Sequence, residues 1–181
     1  MAKVIKILTA VSVSVFLVFL ALYAIWQIGV FLTLCITFGT VAYHFSMRLL
    51  VGGIVNAIFH NKMDPDRFWF RERSFEKRLY AFLRVKKWKK YIPTYAPETF
   101  STQNRSLEEL AQATCQAEAV HEIIIAFSFL PLLLIPVFGA PAAFITTSFL
   151  AALLDSVFVL LQRYNRPRLL KLIKSRRRPN T

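Results

Sequence analysis

Two long runs of apolar residues dominate the pattern along this chain. Residues 7–43 and 123–154 contain no Asp, Glu, Lys or Arg. Each run is longer than the ~20 residues with which one helix crosses the hydrocarbon core of a membrane. A break lies near the middle of each run, at "AIWQIG" in the first and at "IPVFGAP" in the second. Because Trp favours the membrane interface and Pro and Gly favour tight turns, we predict two helical hairpins with four spans.

The polar segment between the hairpins contains "FEKRLYAFLRVKKWKKYIP". Its apolar residues Phe75, Leu79, Phe82 and Val85 recur at helical spacing among Lys and Arg residues. This pattern predicts a basic amphipathic helix on the membrane surface, with Trp88 at the depth of the lipid headgroups. The two prolines of the following "IPTYAPETF" predict an extended or turned chain.

Two further signals mark where helices begin and bend. In "SLEELAQATCQAEAV", Ser106 and Glu109 have the spacing of a capping box, and no helix breaker follows before Ile125. We therefore expect this helix to continue into the third span. Gly52 and Gly53, at the end of the second span, predict a bend followed by a short helix in the membrane interface.

Together these elements predict an all-α integral membrane protein, with four transmembrane helices as two hairpins and a basic cytoplasmic helical segment between them. The predicted parts are an N-terminal hairpin with its interfacial helix, a basic cytoplasmic segment, a C-terminal hairpin and a basic tail, at residues 1–59, 60–119, 120–162 and 163–181.

Charge and composition decide the environment and the orientation. The chain is 56% hydrophobic and carries a formal net charge of +13. Because its apolar runs require a lipid environment, we expect a membrane and not a nucleic acid as the partner of the basic segments. Lys and Arg occur at the N-terminus, in the central segment and in the tail, but not in the hairpin turns. This distribution predicts a multi-pass protein of the cell membrane with both termini cytoplasmic.

The first candidate for chemistry lies where the third span begins, in "QAEAVHEIII". Glu118 and His121 are three residues apart and share one face of a helix. A carboxylate-held imidazole can take a proton from a hydroxyl group and return it later. The alternative is a pair of polar residues that merely ends the span. The Glu-x-x-His pattern occurs once and HExxH is absent, so we predict no metal and no cofactor. Ser128, on the same face, remains a candidate nucleophile.

A second pair of candidates, His44 and Arg48, lies four residues apart near the cytoplasmic end of the second span. Arg48 is suited to an anionic headgroup or a donor phosphate, with His44 facing the reacting centre; the alternative is that Arg48 only reaches towards lipid phosphates. Asp155 is an intramembrane carboxylate, which is costly and indicates function, unless it pairs with Arg48 or with a neighbouring helix. Gln162 follows on the same face.

The block "QRYNRPRLLKL" follows the fourth span. Asn165 and Pro167 predict a turn, and Arg163, Arg166 and Arg168 around it indicate a shaped site for a phosphate or a carboxylate. Candidate substrate-binding residues from all of these blocks are Arg48, Trp88, Lys89, Asp155, Gln162, Arg163, Asn165, Arg166 and Arg168.

The blocks "VKKWKKYIP", "QAEAVHEI" and "QRYNRPRL", in this order, resemble the small membrane acyltransferases of the glycosyl-4,4'-diaponeurosporenoate acyltransferase family. The resemblance covers residues 76–172, whereas the N-terminal hairpin is similar only in being apolar. Members of this family attach a fatty acyl chain to a sugar hydroxyl of a glycosylated carotenoid in staphyloxanthin-type pigment synthesis. The resemblance implies an all-helical, membrane-embedded acyltransferase.

We therefore predict a membrane O-acyltransferase. Its donor would be acyl-CoA, an acyl-carrier protein or a phospholipid, and its acceptor a lipid or glycolipid hydroxyl. His121, oriented by Glu118, would act as the general base, and His44 is a further catalytic candidate. Arg48 and the arginines of residues 163–168 would hold the phosphates of the donor. The alternative is a non-catalytic membrane module that binds anionic lipid or a partner subunit.

Overall fold

The computed structural model describes residues 2–92 and 105–177. The prediction for "IPTYAPETF" lies outside these residues from its proline onward. Seven α-helices occur in the described part of the chain: α1 Ala2–Trp26, α2 Gly29–Phe59, α3 Glu76–Phe82, α4 Val85–Trp88, α5 Leu107–Phe127, α6 Ile135–Phe138 and α7 Pro141–Arg177. Short 3₁₀ helices cover Phe68–Phe70, Lys89–Tyr91 and Leu130–Leu134.

Four helical stretches are long and apolar enough to cross a membrane: Lys3–Trp26, Gly29–Phe59, Leu107–Phe138 and Pro141–Arg177. Many of their large apolar side chains remain exposed, among them Ile7, Val30 and Leu153. Exposed apolar surface of this extent fits contact with lipid tails. The predicted class, an all-α membrane protein with four helices of membrane-spanning length, is therefore confirmed.

The chain forms two compact units, and the first to be described comprises Ala2–Gly53 and Glu122–Ser156. Helix α1 ends at the predicted break, where Gln27 adopts a left-handed φ of 53°. The first two helices then pack closely. A Cβ atom at Gly39 would lie 3.0 Å from the ring of Phe16, so the missing side chain makes room for that ring.

The second predicted break is also present, but the third predicted span is not one regular helix. After α5 the chain continues as the 3₁₀ helix Leu130–Leu134 and then α6, because Pro131 and Pro136 cannot donate a backbone hydrogen bond. Gly139 and Ala140 have positive φ angles and turn the chain into α7. Ser128, the candidate nucleophile, is buried and donates its hydroxyl to the Ile124 carbonyl at 2.8 Å.

Two predicted breaks are absent. Helix α2 continues through Gly52 and Gly53 to Phe59, so the prediction of a separate interfacial helix was wrong. Helix α7 continues through Asn165 and Pro167, so the predicted turn was wrong as well. Glycine costs an interior helical position only about 1 kcal/mol relative to alanine, and a proline removes one donor and strains one turn. The backbone hydrogen bonds of the turns before and after such a residue can keep the helix continuous.

The other unit comprises Ile54–His121 and Val157–Thr181. The capping box at the start of α5 is confirmed: Ser106 N donates to Glu109 Oε2 at 2.8 Å, and Glu109 N donates to Ser106 Oγ at 3.2 Å. The predicted amphipathic helix is instead two short helices, α3 and α4, because Arg84 between them is left-handed with φ 50°. This break separates the exposed Phe82 from the fully buried Val85.

A hydrophobic cluster joins α7 to α3 and α4. Its buried members are Tyr80, Val85, Leu161 and Tyr164, and Trp88, Ile92, Phe158 and Leu160 pack against them. The rings of Tyr80 and Tyr164 meet edge to face, with centroids 5.3 Å apart. This apolar packing places the Arg-rich part of α7 beside the basic segment, which positions the charged groups described next.

Candidate functional site

A buried cluster of charges is centred on Glu118 of α5. This side chain is fully buried, and each of its carboxylate oxygens accepts a hydrogen bond from an arginine of α7. Arg163 Nη1 lies 2.5 Å from Oε1, and Arg166 Nη2 bonds to Oε2. Arg166 is also buried, and it donates to the Phe70 carbonyl at 2.8 Å and to Thr114 Oγ1 at 3.2 Å. The charges of Glu118 and Arg166 are thus both buried, and hydrogen bonds within the protein replace their hydrogen bonds to water.

A second buried carboxylate, Glu76 of α3, extends the cluster. Its Oε1 accepts two bonds from Arg163, from Nη2 at 2.6 Å and from Nε at 3.0 Å. Its Oε2 accepts the hydroxyl of Tyr80 at 2.7 Å. Burial, followed by this bond to Glu76, raises the pKa of Tyr80 above its ordinary value. Two carboxylates therefore balance two guanidinium groups, and the cluster ties α3, α5 and α7 together.

The predicted general base, His121, lies one helical turn after Glu118 on α5 and is half-buried. Its imidazole stacks on the ring of Phe158 in α7, with centroids 4.8 Å apart and planes inclined by 12°. Stacking on an aromatic face fixes the plane of the imidazole. The structure therefore brings His121 to α7, while Glu118 is held by the two arginines.

Several predicted substrate-binding residues meet around Tyr164. Lys89 Nζ donates to Asn165 Oδ1 at 3.1 Å and lies 4.9 Å from the centroid of the Tyr164 ring. The guanidinium of Arg168 lies 3.5 Å from the same centroid. Burial and the positive charge of Arg168 both lower the pKa of Lys89. Trp88 is half-buried against the adjoining hydrophobic cluster.

The remaining candidates fall elsewhere on the chain. Gln162 is half-buried beside Arg163 on α7. Arg48 of α2 forms a salt bridge with the buried carboxylate of Asp155, and it also donates to the Ala151 carbonyl at 3.3 Å. The alternative that the sequence left open, a buried pair between these two residues, is what the structure shows.

His44, the second histidine candidate, is buried on α2. Its ring meets Tyr43 edge to face at 5.3 Å. Within residues 2–92 and 105–177, neither of its ring nitrogens has a hydrogen-bond partner. An unpaired buried imidazole is costly, which keeps His44 as a second catalytic candidate.

Sequence reasoning missed the role of Glu76. It is an isolated acid in the basic stretch "SFEKRLYAFLRVKK". A single carboxylate surrounded by cations has many possible partners, and only the packing of α3 against α7 selects Arg163. Tyr80 and Thr114 were missed for the same reason, since neither side chain has a distinctive sequence pattern.

An all-helical membrane protein with a buried, charge-balanced cluster is the class that the fold and this site define. The family model of glycosyl-4,4'-diaponeurosporenoate acyltransferase matches residues 66–175, which is more than half of the chain. The chain belongs to this family. No curated protein matches the chain, and no solved structure does.

Membership in this family establishes an acyltransferase and decides against the non-catalytic membrane module. It links the chain to the synthesis of carotenoid pigments and implies, in general terms, an acyl donor and a glycolipid acceptor. Glu76, Glu118 and His121 lie inside the matched region, whereas His44 and Arg48 lie outside it.

Proposed function

We propose that this chain transfers a fatty acyl group onto a hydroxyl of a membrane glycolipid, such as a glycosylated carotenoid, with His121 as the general base. The observation that carries the proposal is the position of His121 inside the region matched by the family. Its half-buried ring is held on Phe158, one turn from the buried charge cluster. An imidazole changes its charge near neutral pH and is therefore suited to moving a proton in this reaction.

The reaction needs two proton transfers, one from the acceptor hydroxyl to His121 and one from His121 to the leaving group. The His121 imidazole takes the proton of the acceptor hydroxyl as the hydroxyl oxygen attacks the carbonyl carbon of the donor. A new C–O bond forms, and the bond from the acyl carbon to its sulfur or oxygen leaving group breaks. The imidazolium then returns the proton to the leaving group, so that the products are an ester and a free thiol or alcohol.

The charge cluster supports this role through its balance. Arg163 and Arg166 pair with Glu76 and Glu118, so that two positive charges are balanced by two negative charges. We therefore assign Glu118 as a positioning residue, which holds α5 to α7 and offsets the arginines. Direct orientation of the imidazole by Glu118 remains part of the proposal.

The orientation that we propose is a multi-pass protein of the cell membrane with both termini and the central basic segment in the cytoplasm. The distribution of Lys and Arg supports it, because both hairpin turns lack these residues. In this orientation the acyl chains remain in lipid, while the polar parts of donor and acceptor meet water-accessible side chains.

The test is His121→Ala, assayed in membranes by mass spectrometry of the acylated glycolipid. Loss of a general base typically lowers the rate about 10²–10⁴-fold, so we expect a loss of that size with protein still inserted at the wild-type level. Phe158→Leu is the matched control for packing: it removes the stacking partner but retains the base, and we expect a smaller loss.

A variant at His44 tests whether this second histidine is the general base instead. His44→Ala should retain activity within a few-fold if His121 is the base. Should His121→Ala retain its activity while His44→Ala abolishes it, the assignment is overturned and the base lies in α2.

A further inference from the structure

A basic cleft of about 480 Å³ lies between residues 72–87 and the last part of α7. Six cations line it: Lys77, Arg84, Lys86, Lys87, Arg168 and Lys171. The one acid of its lining, Glu72, lies 3.8 Å from Lys77. The cleft therefore has a large excess of positive charge, and a cleft of this volume is of the size that accommodates a small organic ligand.

The cations of this cleft differ from Arg163 and Arg166, which buried carboxylates neutralise. Among the described residues, none of the five lining cations other than Lys77 has a carboxylate within ion-pair distance. A cation with no carboxylate partner has an unbalanced positive charge, which attracts an anion. Of the three arginines in "QRYNRPRL", only Arg168 is thus placed to bind phosphate.

Contacts with Tyr164 hold the charge of Arg168, and the backbone conformation of Arg84 sets where its side chain starts. The guanidinium of Arg168 lies over the ring of Tyr164 and its Nη1 donates to the Tyr164 carbonyl at 3.1 Å. Arg84 occupies the left-handed break between α3 and α4, a conformation that is uncommon for any residue with a side chain. This position fixes where the Arg84 side chain leaves the backbone, between α3 and α4.

The cleft is also connected to the proposed reaction site. Tyr80 forms part of its lining, and the hydroxyl of Tyr80 donates to Glu76 of the buried charge cluster. Glu76 accepts a hydrogen bond from Arg163, and Arg163 also donates to Glu118. Glu118 lies one helical turn before His121 on α5. A ligand in the cleft would therefore contact an element that is bonded to the cluster beside the base.

We propose that this cleft binds the nucleotide end of an acyl–coenzyme A donor, an inference that rests on the proposed function. The 3'-phosphate and the diphosphate of coenzyme A form a compact polyanion, which matches six clustered cations. A phospholipid headgroup offers a single phosphodiester and needs fewer of them. An acidic carrier protein would bind an extended basic face and not require a cleft.

The experiment measures binding of coenzyme A, which lacks an acyl group and cannot react, to the purified protein in detergent by calorimetry. Loss of one charge-assisted contact corresponds to roughly a tenfold change in affinity. We therefore expect Arg168→Ala and Lys171→Ala each to weaken binding about tenfold. Dephospho-coenzyme A, which lacks the 3'-phosphate, should bind about tenfold more weakly than coenzyme A. Lys174→Ala, on the same helix but outside the cleft, should change affinity less than twofold.

A second variant separates binding from folding. Arg84→Gly removes the charge but suits the left-handed backbone, so it should weaken coenzyme A binding without lowering the thermal unfolding temperature. Equal affinity in Arg84→Gly, Arg168→Ala and wild type would overturn the inference.

The donor assay distinguishes the two proposals. If coenzyme A does not bind while an acyl-carrier protein or phosphatidylglycerol supports ester formation, the cleft assignment fails and the proposed function stands. If coenzyme A binds as expected but no donor yields an ester on any glycolipid hydroxyl, the proposed function fails instead.

Discussion

Glu118→Gln tests whether the buried charge cluster is the main polar support of its unit. The substitution keeps the shape of the side chain but removes the charge that pairs with Arg163 and Arg166. Arg163 retains its two bonds to Glu76. Arg166 is only 1% exposed, and no other carboxylate among the described residues lies within ion-pair distance of it.

The magnitude follows from this difference between the two arginines. Removing one partner of a buried ion pair costs about 3–5 kcal/mol, because the remaining charge stays buried without compensation. We assign that cost chiefly to Arg166. For a chain of this size, it corresponds to a fall of roughly 6–20 °C in the midpoint of thermal unfolding. In the double variant Glu118→Gln/Arg166→Gln, the cost should be smaller than the sum of the two single costs.

The chain contains its own reporter of unfolding. Cys115 lies on α5, three residues before Glu118, and is fully buried. In a Cys35→Ala background, a thiol-reactive fluorogenic dye therefore reports the opening of this unit as the purified protein is heated in detergent. Labelling at Cys115 should begin at a lower temperature in Glu118→Gln than in the parent.

The matched control is Glu108→Gln, on the same helix. It removes the exposed pair between Glu108 and Arg177, whose atoms lie 3.2 Å apart with side chains 47% and 71% exposed. Exposed pairs contribute about 0–1 kcal/mol, so the unfolding midpoint should hardly move. Equal small shifts in both variants would refute the view that Glu118 compensates buried charge.

Two further predictions concern the other unit and the membrane. Asp155→Asn should lower stability by about 3 kcal/mol, since it leaves the half-buried Arg48 without the buried carboxylate that it pairs with. Ser156→Ala is the control, and equal unfolding midpoints for the two variants would contradict the prediction. A cysteine at Gln27 in a cysteine-free background should react with an impermeant reagent added to intact cells, whereas one at Lys174 should not; the reverse labelling would exclude cytoplasmic termini.

The local features of the fold could be predicted from the sequence. The lengths of the two uncharged runs were sufficient for four membrane-length helices, and the Ser106–Glu109 spacing located the start of α5. Both are interactions within about one helical turn or properties of one continuous segment. The sequence blocks after residue 76 likewise sufficed to indicate the acyltransferase family.

Breaks within helices were less predictable. Gly52, Gly53 and Pro167 are all helix-weakening residues, yet α2 and α7 continue through them. Arg84 carries no such signal, but the chain breaks there. Intrinsic preferences amount to about 1–3 kcal/mol per residue, and the packing of a whole helix can outweigh them.

Only the tertiary structure decided which charges pair. The sequence grouped Arg163, Arg166 and Arg168 as one phosphate site, whereas the structure pairs the first two with the buried Glu76 and Glu118 and leaves the third at the cleft. These acids are separated from the arginines by 45 residues or more along the chain. Burying a charge requires a partner at hydrogen-bond distance, and that distance exists only once α3, α5 and α7 have packed together.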